Sequence, residues 1–426
     1  MNEFLLYGSG LIIYLVLMWR AGKTFPILPL FLFTYFVQYI LSTYLIYNNY
    51  KVLEEQMEIS QSRYFEYAIP ALLSLFLGIF LFARRFDLRD LLTRIDPRNA
   101  NALAYMLIAL SYLLDALWLV GFEPVNSIVS FTSYLKYVGA FALLFTSSFV
   151  NYIVIGFIFV QLTIFVLAFG VFIDFFIWST YLFFFVSLKF NFSYFFRLMF
   201  IVLAVPVLVI VQSVKDQYRQ ATWGSGREAG FELFGELLER ENANFEKGPL
   251  TESRGVISTV GRLTQGWHLG LTIKHVPAKV PFENGDEMLS DITSSLIPRI
   301  IVTDKKTVGS QDKFYKYTGH KLQKGTSMTI GVLGDFYINF GFWGSCAMLF
   351  VFGVFIAKAL NFYISRYVFT NPVNIVWIPF MLSYLIRANN DFYMVFNNMT
   401  KGFIIFLFIN YLLNRFWPQQ QPVLQR

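Results

Sequence analysis

Long runs of apolar residues, separated by short polar stretches, make up most of the chain. In the run 141–186, Asp174 is the only charged residue, so this segment cannot be covered by side chains that face water. About 20 consecutive apolar residues are needed to cross the hydrocarbon core of a bilayer as a helix. Backbone groups in lipid must pair within their own segment, and the alternation typical of a barrel is absent. We therefore predict membrane-spanning helices.

Eleven such segments can be placed along the chain, which predicts an all-α polytopic membrane protein. The predicted spans are residues 3–19, 26–46, 67–83, 102–121, 127–147, 152–172, 176–190, 197–214, 328–357, 373–395 and 400–416. The first is interpreted as an uncleaved helix, because no basic region precedes it and no small-residue cleavage site follows it. The spans divide the chain into an N-terminal bundle (1–214), one large, partly ordered loop (215–327) and a C-terminal bundle (328–426).

Lysine and arginine residues in the short loops predict the orientation. Three lie on one side of the membrane: Lys51, Arg63 and Lys401. Thirteen lie on the other side: Arg20, Lys23, Arg84, Arg85, Arg89, Arg94, Arg98, Lys189, Arg197, Lys358, Arg366, Arg415 and Arg426. Because positively charged short loops stay in the cytoplasm, we expect a bacterial inner-membrane protein whose C-terminus is cytoplasmic. Its N-terminus and large loop are then periplasmic.

Composition excludes several classes of function. Only 14% of residues are charged and 56% are hydrophobic, far from the balance of a soluble enzyme. The single cysteine, Cys346, rules out a disulfide framework or a cysteine metal site. The three histidines lack metal-ligand spacing, so no bound metal and no cofactor are predicted. The net charge of +7 reflects loop anchoring, and no nucleic-acid partner is expected.

The polar loop contains one clear helical pattern. Residues 229–242 predict an amphipathic helix whose apolar face comprises Phe231, Phe234, Leu237 and Leu238. Such a helix is expected to rest on the bundle or on the lipid surface. Glycines and prolines follow it, and they favour irregular but ordered structure over further helices.

Basic residues of the loop are candidates for binding phosphate. Arg254, Arg262 and Arg299 present the rigid donor fork that suits phosphate oxygens. A basic stretch from Arg299 to Lys324, which includes Lys305, lies where the loop returns to the membrane. The stretch could bind an anionic headgroup, or it could be a solvated surface that steers the loop towards anionic lipid.

Two polar positions near the outer ends of the last helices are candidates for chemistry. Asp335 and Asn339 are four residues apart and so project from one helix face. An ionisable group at that depth is costly and therefore a functional candidate. The alternative is a structural Asp335, paired with Arg387 or Lys136. Arg387 itself is expected to line the same cavity as Asp335.

His320 is the third candidate of this kind. Its ordinary pKa lies near neutrality, which suits a general base. The alternative is a histidine in a loop that only faces solvent.

Two segments resemble the Wzy-type O-antigen and exopolysaccharide repeat-unit polymerases. Residues 296–305, Leu-Ile-Pro-Arg-Ile-Ile-Val-Thr-Asp-Lys, are similar to a "PR…P-K" signature, and Ser327–Gly344 is similar to an "S…GE.Y.NFG..G" pattern. The match covers the second half of the chain. It departs from the pattern at Asp335, where Glu is commoner, and at Lys306, where a proline is expected.

The resemblance implies a bundle of the GT-C type and glycosyl transfer between two polyprenyl-diphosphate-linked oligosaccharides, a donor and an acceptor, on the outer leaflet. It implies Arg254, Arg262 and Arg299 as the diphosphate clamp and Asp335 or His320 as the base. Other implied substrate contacts are Lys305, Ser327, Tyr337, Asn339 and Arg387. Besides the lipid bilayer, the expected partners are a chain-length regulator and a flippase of the same pathway.

Two alternatives stay open at this point. One is a transferase similar to O-antigen ligases, which begin the corresponding helix with a histidine, whereas this chain has Thr326, Ser327 and Thr329 there. The other is a flippase or transporter of lipid-linked oligosaccharides. A transporter is expected to show two similar halves, and no internal repeat is visible here.

Overall fold

The fold is known from a computed structural model that describes residues 3–119, 131–224, 226–245, 254–297, 311–323 and 326–416. All regular secondary structure in these ranges is helical. Leaving aside two single-turn helices, Lys51–Glu54 and Arg89–Leu92, the described ranges before the loop contain α1 (Glu3–Arg20), α2 (Ile27–Asn49), α3 (Gln61–Phe82), α4 (Pro97–Leu119), α5 (Leu135–Leu144), α6 (Phe149–Phe169), α7 (Ile173–Lys189) and α8 (Tyr194–Gly224). The remaining ranges contain α9 (Phe231–Phe245), α10 (Arg254–Leu263), α11 (Gly266–His275), α12 (Asp286–Leu296), α13 (Gln311–Thr318), α14 (Gly331–Val368), α15 (Pro372–Leu382) and α16 (Phe392–Phe416).

Eight helices in the described part of the chain are long and apolar enough to cross a membrane. They are α1, α2, α3, α4, α6, α8, α14 and α16. This confirms the prediction of an all-helical protein with many membrane spans. The other three predicted spans coincide with α5, α7 and α15, each shorter than 18 residues. The total of eleven spans therefore stays a prediction.

The predicted span 373–395 is not one continuous helix. Helix α15 ends early, and an irregular stretch, residues 383–391, separates it from α16. Asn and Asp in that stretch bond to nearby backbone and so favour turns over a continuing helix. Asp391 caps α16, because its Oδ1 accepts a hydrogen bond from the Met394 N–H at 2.9 Å. Arg387 consequently lies in a break between two helices.

The predicted irregular structure in the second part of the loop is also wrong, since α10, α11, α12 and α13 lie there. The glycines and prolines mark helix ends. Gly266 begins α11, Pro277 follows it, and Gly285, with φ of 97°, immediately precedes α12. Helix α8 continues to Gly224, past the predicted start of the loop at residue 215.

The amphipathic helix predicted at 229–242 is confirmed as α9. Its packed face is largely the predicted one: Leu237 is buried and Phe234 and Leu238 are partly buried against α8, but Leu233 takes the place of Phe231, which is 65% exposed. The difference arises because α9 packs along the end of α8.

The closest packing in the bundle joins α3 and α14. A Cβ on Gly78 would lie 2.3 Å from the carbonyl oxygen of Phe350, and one on Gly353 would lie 2.4 Å from that of Leu75. Small residues at such contacts allow two helix backbones to touch. Helix α14, which carries Asp335, is thereby held against the N-terminal bundle.

Helix α14 is kinked at Gly341. The backbone there has φ 65° and ψ −165°, a region that is essentially restricted to glycine. The carbonyl of Ile338 accepts a hydrogen bond from the Glu283 N–H at 2.9 Å. The ring of Phe282 lies 3.3 Å from where a Cβ on Gly341 would be. The loop therefore packs into the kink and sets the direction of the first turns of α14.

Candidate functional site

Lys313 of α13 lies among four carboxylates. Its Nζ is 3.0 Å from Asp335 Oδ1, 3.7 Å from Asp291 Oδ2, 3.8 Å from Asp391 Oδ2 and 3.9 Å from Glu287 Oε1. We call these five residues the Lys313 cluster. Glu287 and Asp291 come from α12, Asp335 from α14, and Asp391 from the cap of α16. The cluster thus joins two loop helices to two membrane helices.

The Lys313 cluster is buried. The side chains of Asp335 and Asp291 are 1% and 2% exposed, and that of Lys313 is 18% exposed. Burial alone lowers the pKa of the Lys313 ammonium, but Asp335, Asp391 and Asp291 together raise that pKa well above its ordinary value. The carboxylates outnumber the ammonium, and like charges this close favour the uptake of a proton by one of them. The cluster can therefore accept a proton.

Two members of the cluster also stabilise the start of α16. Asp335 Oδ2 accepts a hydrogen bond from the Phe392 N–H at 2.7 Å, next to the Asp391 cap. The first N–H groups of a helix lack partners within it, and negative charge is favourable there. Asp335 thus has a structural role at α16 in addition to its ion pair.

The Lys313 ammonium lies within 3.9 Å of an oxygen of each of the four carboxylates. In the part of the chain that the structure describes, no three His, Cys, Asp or Glu side chains are arranged to bind a metal ion.

Asn339 lies beside the cluster, and both Asn339 and Tyr337 are packed within the protein. Asn339 Oδ1 accepts a hydrogen bond from the Met288 N–H at 3.2 Å, and its Nδ2 donates to the Asp335 carbonyl at 2.8 Å. Tyr337 is buried between the rings of Tyr67 and Phe282. In this conformation both residues position α12 and α14.

Arg387 does not join the Lys313 cluster. It forms an ion pair of 2.6 Å with Asp174 of α7, whose other oxygen accepts from the Tyr134 hydroxyl at 3.3 Å. Lys136 pairs with Asp115 at 3.1 Å. The suggested pairing of Asp335 with Arg387 or Lys136 is therefore wrong, because Lys313 takes that place.

His320 is exposed and lies outside the Lys313 cluster. Its ring is edge-on to Trp267, 5.1 Å between centroids. Beside it, His268 packs edge-on to Phe314 at 5.8 Å, and no hydrogen-bond partner reaches its buried Nε2 among the described residues. Burial lowers the pKa of His268 to about 4. These rings attach α13 to α11 and so hold Lys313 in place.

None of the other predicted site residues that the structure describes is a member of the Lys313 cluster. Arg262 is ion-paired with Asp216 of α8, and Ser327 is exposed ahead of α14. Arg254 is the first residue of α10. Arg299 and Lys305 lie outside the described residues.

Sequence reasoning missed most of the Lys313 cluster. Lys313 falls within the basic stretch from Arg299 to Lys324, and Asp391 lies in the predicted span 373–395. Glu287 and Asp291 are four residues apart, so both lie on one face of α12, which is the one local signal available. Their contacts with Lys313 depend on tertiary packing.

Comparison with protein-family models, with curated proteins and with solved structures finds no match to this chain. The resemblance of its motifs to repeat-unit polymerases therefore rests on the residues alone.

Proposed function

We propose that this membrane protein is a glycosyltransferase that polymerises polyprenyl-diphosphate-linked oligosaccharide repeat units on the periplasmic face of the inner membrane. The observation that carries the proposal is the surroundings of Asp335. This residue belongs to the Ser327–Gly344 segment that resembles the polymerases. It lies in a buried group of carboxylates that come both from loop helices and from membrane helices.

The proposed reaction is an in-line displacement at the anomeric carbon of the donor sugar. A hydroxyl oxygen of the acceptor forms the new bond, the bond to the diphosphate oxygen breaks, and the lipid diphosphate leaves with the electron pair. The hydroxyl proton passes to the Lys313 cluster, with Asp335 as the base, since a cluster rich in carboxylates takes up a proton readily. Attack opposite the leaving group inverts the anomeric centre.

The leaving diphosphate needs its charge stabilised. Arg254, Arg262 and Arg299 are the proposed clamp, because guanidinium groups bind phosphate oxygens in pairs and preorganised donors stabilise developing charge. Arg262 is available for this role if it exchanges Asp216 for the substrate, since that ion pair is at the surface, with both side chains more than a third exposed. Such surface pairs contribute little stability.

His320 is the competing base. It is exposed beside Trp267, so an acceptor could reach it without opening the protein. Asp335→Asn and His320→Gln separate the two, because only loss of the true base should stop chain growth at unchanged protein level.

A flippase or transporter of lipid-linked oligosaccharides is the second candidate. The buried ion pair of Arg387 with Asp174, between α7 and the break before α16, favours it, because ionised groups inside a bundle often mark a transport path. A transferase similar to O-antigen ligases shares the donor chemistry and differs only in its acceptor.

Deleting the gene and examining the surface glycan separates these functions. Loss of a polymerase leaves single repeat units on the acceptor, whereas loss of a flippase or of a ligase leaves no glycan attached outside. Long chains in the deletion strain would exclude the polymerase. Arg254→Ala and Arg299→Ala should each abolish chain growth without loss of protein, and chains of normal length in both would remove the arginines from the mechanism.

A further inference from the structure

A group of cationic side chains lies where α8 leaves its apolar run. Lys215 and Arg219 of α8 and Arg262 of α10 lie together with one carboxylate, that of Asp216. Arg219 and Arg262 are close enough to Lys215 to repel its ammonium, and Asp216 is close enough to attract it. We call these four residues the Lys215 cluster. Three cations against one anion leave the cluster with an excess of positive charge.

Lys215 is the member of the cluster that lacks a partner. The residue is buried, with 9% of its surface exposed, yet its ammonium forms no hydrogen bond and no ion pair with the described residues. Taking a charge out of water is costly unless it is paired. The Nζ is not among the unpartnered atoms that are closed off from solvent. An anion can therefore reach the Lys215 ammonium and pair with it.

The two arginines of the cluster also have donors for an anion. The Nε of Arg219 donates to the Gly170 carbonyl at 2.9 Å, and its guanidinium lies over the ring of Trp223 at 4.6 Å. These contacts hold the guanidinium in place, while its terminal nitrogens donate to none of the described residues. Arg262 pairs with Asp216 at the surface, and such a pair exchanges readily for a second anion because it contributes little stability.

A polar cavity adjoins the Lys215 cluster, since Asp216 lines it. The volume of the cavity is about 300 Å³, which gives room for a phosphate group beside the cations. Its amide and hydroxyl groups are able to donate hydrogen bonds to phosphate oxygens. The lining residues are Gln212, Ser213, Asp216, Gln217, Gln220 and Ser258.

The position of the cluster along α8 indicates that the anion belongs to a lipid. The apolar run 198–214 ends immediately before Lys215. Lysine and arginine side chains at the end of an apolar span lie at the level of the lipid headgroups. Below the cluster, α8 exposes apolar side chains, among them Val202, Leu203 and Val205. A lipid beside α8 therefore brings its phosphate to the cations and its tail to an apolar surface.

We propose that the Lys215 cluster binds a phosphate group carried by a membrane lipid. An ionised phosphate only accepts hydrogen bonds, so it suits an unpaired ammonium and free guanidinium donors, and its charge offsets the positive excess of the cluster. A lipid diphosphate and a phospholipid headgroup share this chemistry. Identifying the ligand as the polyprenyl diphosphate of the substrate rests on the proposed function, in which Arg262 belongs to the diphosphate clamp.

Thermal unfolding of the purified full-length protein in detergent, titrated with lipids, tests the proposal. A ligand that binds the folded state raises the unfolding midpoint. We expect polyprenyl diphosphate to raise the midpoint more than polyprenol, which has the same tail and no phosphate. Phosphatidylglycerol distinguishes the two sources: a smaller shift than that of polyprenyl diphosphate identifies the substrate, and an equal shift identifies a phospholipid headgroup. Either result supports the phosphate site.

Variants of the cluster should change binding in opposite directions. Lys215→Met and Arg219→Gln each remove a cation, so each should weaken binding of the preferred phosphate lipid about ten-fold or more, as the loss of a charge-assisted hydrogen bond does. Asp216→Asn removes the competing carboxylate and should tighten binding. Lys279→Met, an exposed change between α11 and α12 that loses the same charge, should bind as the wild type does.

The site is rejected if polyprenol shifts the midpoint of the wild type as much as both phosphate lipids do. Equal binding by the wild type and by Lys215→Met rejects it as well. Arg219→Gln decides the same question if gel filtration shows that Lys215→Met does not fold. If the variants behave as expected but the purified wild type transfers no glycan, the phosphate site stands and the polymerase does not.

Discussion

Lys313 and Lys316 lie one helical turn apart on α13 but have different surroundings. The Lys313 ammonium is buried among the carboxylates of its cluster, whereas Lys316 is half exposed and pairs with Glu283 at 2.7 Å. Removing one partner of a buried ion pair costs about 3–5 kcal/mol, while a surface pair contributes about 1 kcal/mol or less. Lys313→Met should therefore lower the thermal unfolding midpoint in detergent strongly, and Lys316→Met should leave it nearly unchanged.

The pH dependence of these variants provides a control. The folded-state pKa of Lys313 is raised, so the stability that it contributes is fully present below the unfolded value of about 10.4 and is lost only as the pH rises through the higher folded value. The carboxylates of the Lys313→Met variant lack their cationic partner. The variant should therefore become more stable as the pH falls and these carboxylates take up protons. Equal midpoints for Lys313→Met and Lys316→Met at neutral pH would contradict this account of the cluster.

Tyr35 and Tyr39 form a second matched pair, both fully buried in α2. The Tyr39 hydroxyl donates to the Ala388 carbonyl at 3.0 Å, whereas the Tyr35 hydroxyl has no partner among the described residues. Tyr39→Phe should cost about 1 kcal/mol, because it leaves a buried carbonyl without its donor. Tyr35→Phe should leave the unfolding midpoint unchanged or raise it, and a larger loss for Tyr35→Phe than for Tyr39→Phe would contradict the prediction.

At the scale of whole helices, the kink in α14 makes Gly341 hard to replace. Its backbone lies in a region that only glycine populates readily, and strain of this kind costs about 1–3 kcal/mol. Gly341→Ala should therefore destabilise the protein and loosen the contact of Phe282. Gly156, within α6 with no neighbour near a new Cβ, is the matched control. Its change to Ala should be neutral or slightly stabilising, and equal unfolding midpoints for the two variants would argue against a strained kink.

His268 makes the attachment of α13 to α11 sensitive to acid. Burial lowers its pKa in the folded state to about 4, against about 6.5 unfolded. The stability that it contributes is therefore present above pH 6.5 and is lost as the pH falls towards 4, at up to about 1.4 kcal/mol per pH unit. Intrinsic exchange rates fall as the pH is lowered over this range, so hydrogen exchange of α11 and α13 should slow less than the intrinsic rates predict.

His268→Phe keeps the ring and removes the titrating group. In this variant the extra exchange between pH 6.5 and 4 should disappear, while the carboxylates titrate as before. An unchanged pH profile in His268→Phe would show that other groups control the attachment.

Helix boundaries show how far the apolar pattern is informative. Runs of apolar residues predicted the membrane helices well, because only helices satisfy a backbone in lipid. The stretch 383–391 was predicted to be helical because apolar residues flank it on both sides, and the helix cap at Asp391 was not recognised. The loop helices were missed because glycines and prolines such as Pro277 and Gly285 were taken as signs of irregular structure, although they lie next to helix ends.

At the scale of the whole molecule, local patterns do not determine which charges pair. Asp335 was predicted as a candidate because an ionisable group was expected within a membrane helix near its outer end. It does lie in a buried charged cluster. Its partner Lys313 could not be predicted, because the contact depends on how α13 packs against α11. Arg387 pairs with Asp174, which is 213 residues away in sequence, so neither residue carries a local sign of the other.

The most direct measurement of the central claim is glycan transfer by the purified protein in liposomes that contain lipid-linked oligosaccharide. We predict products of two or more repeat units with release of polyprenyl diphosphate. Asp335→Asn should be slower by about 10²-fold or more, as expected for loss of a general base. Glu58→Gln, which removes an exposed carboxylate paired with Lys274, should be as active as the wild type. Folded wild-type protein that yields only single units, or equal rates for Asp335→Asn and wild type, would contradict the account.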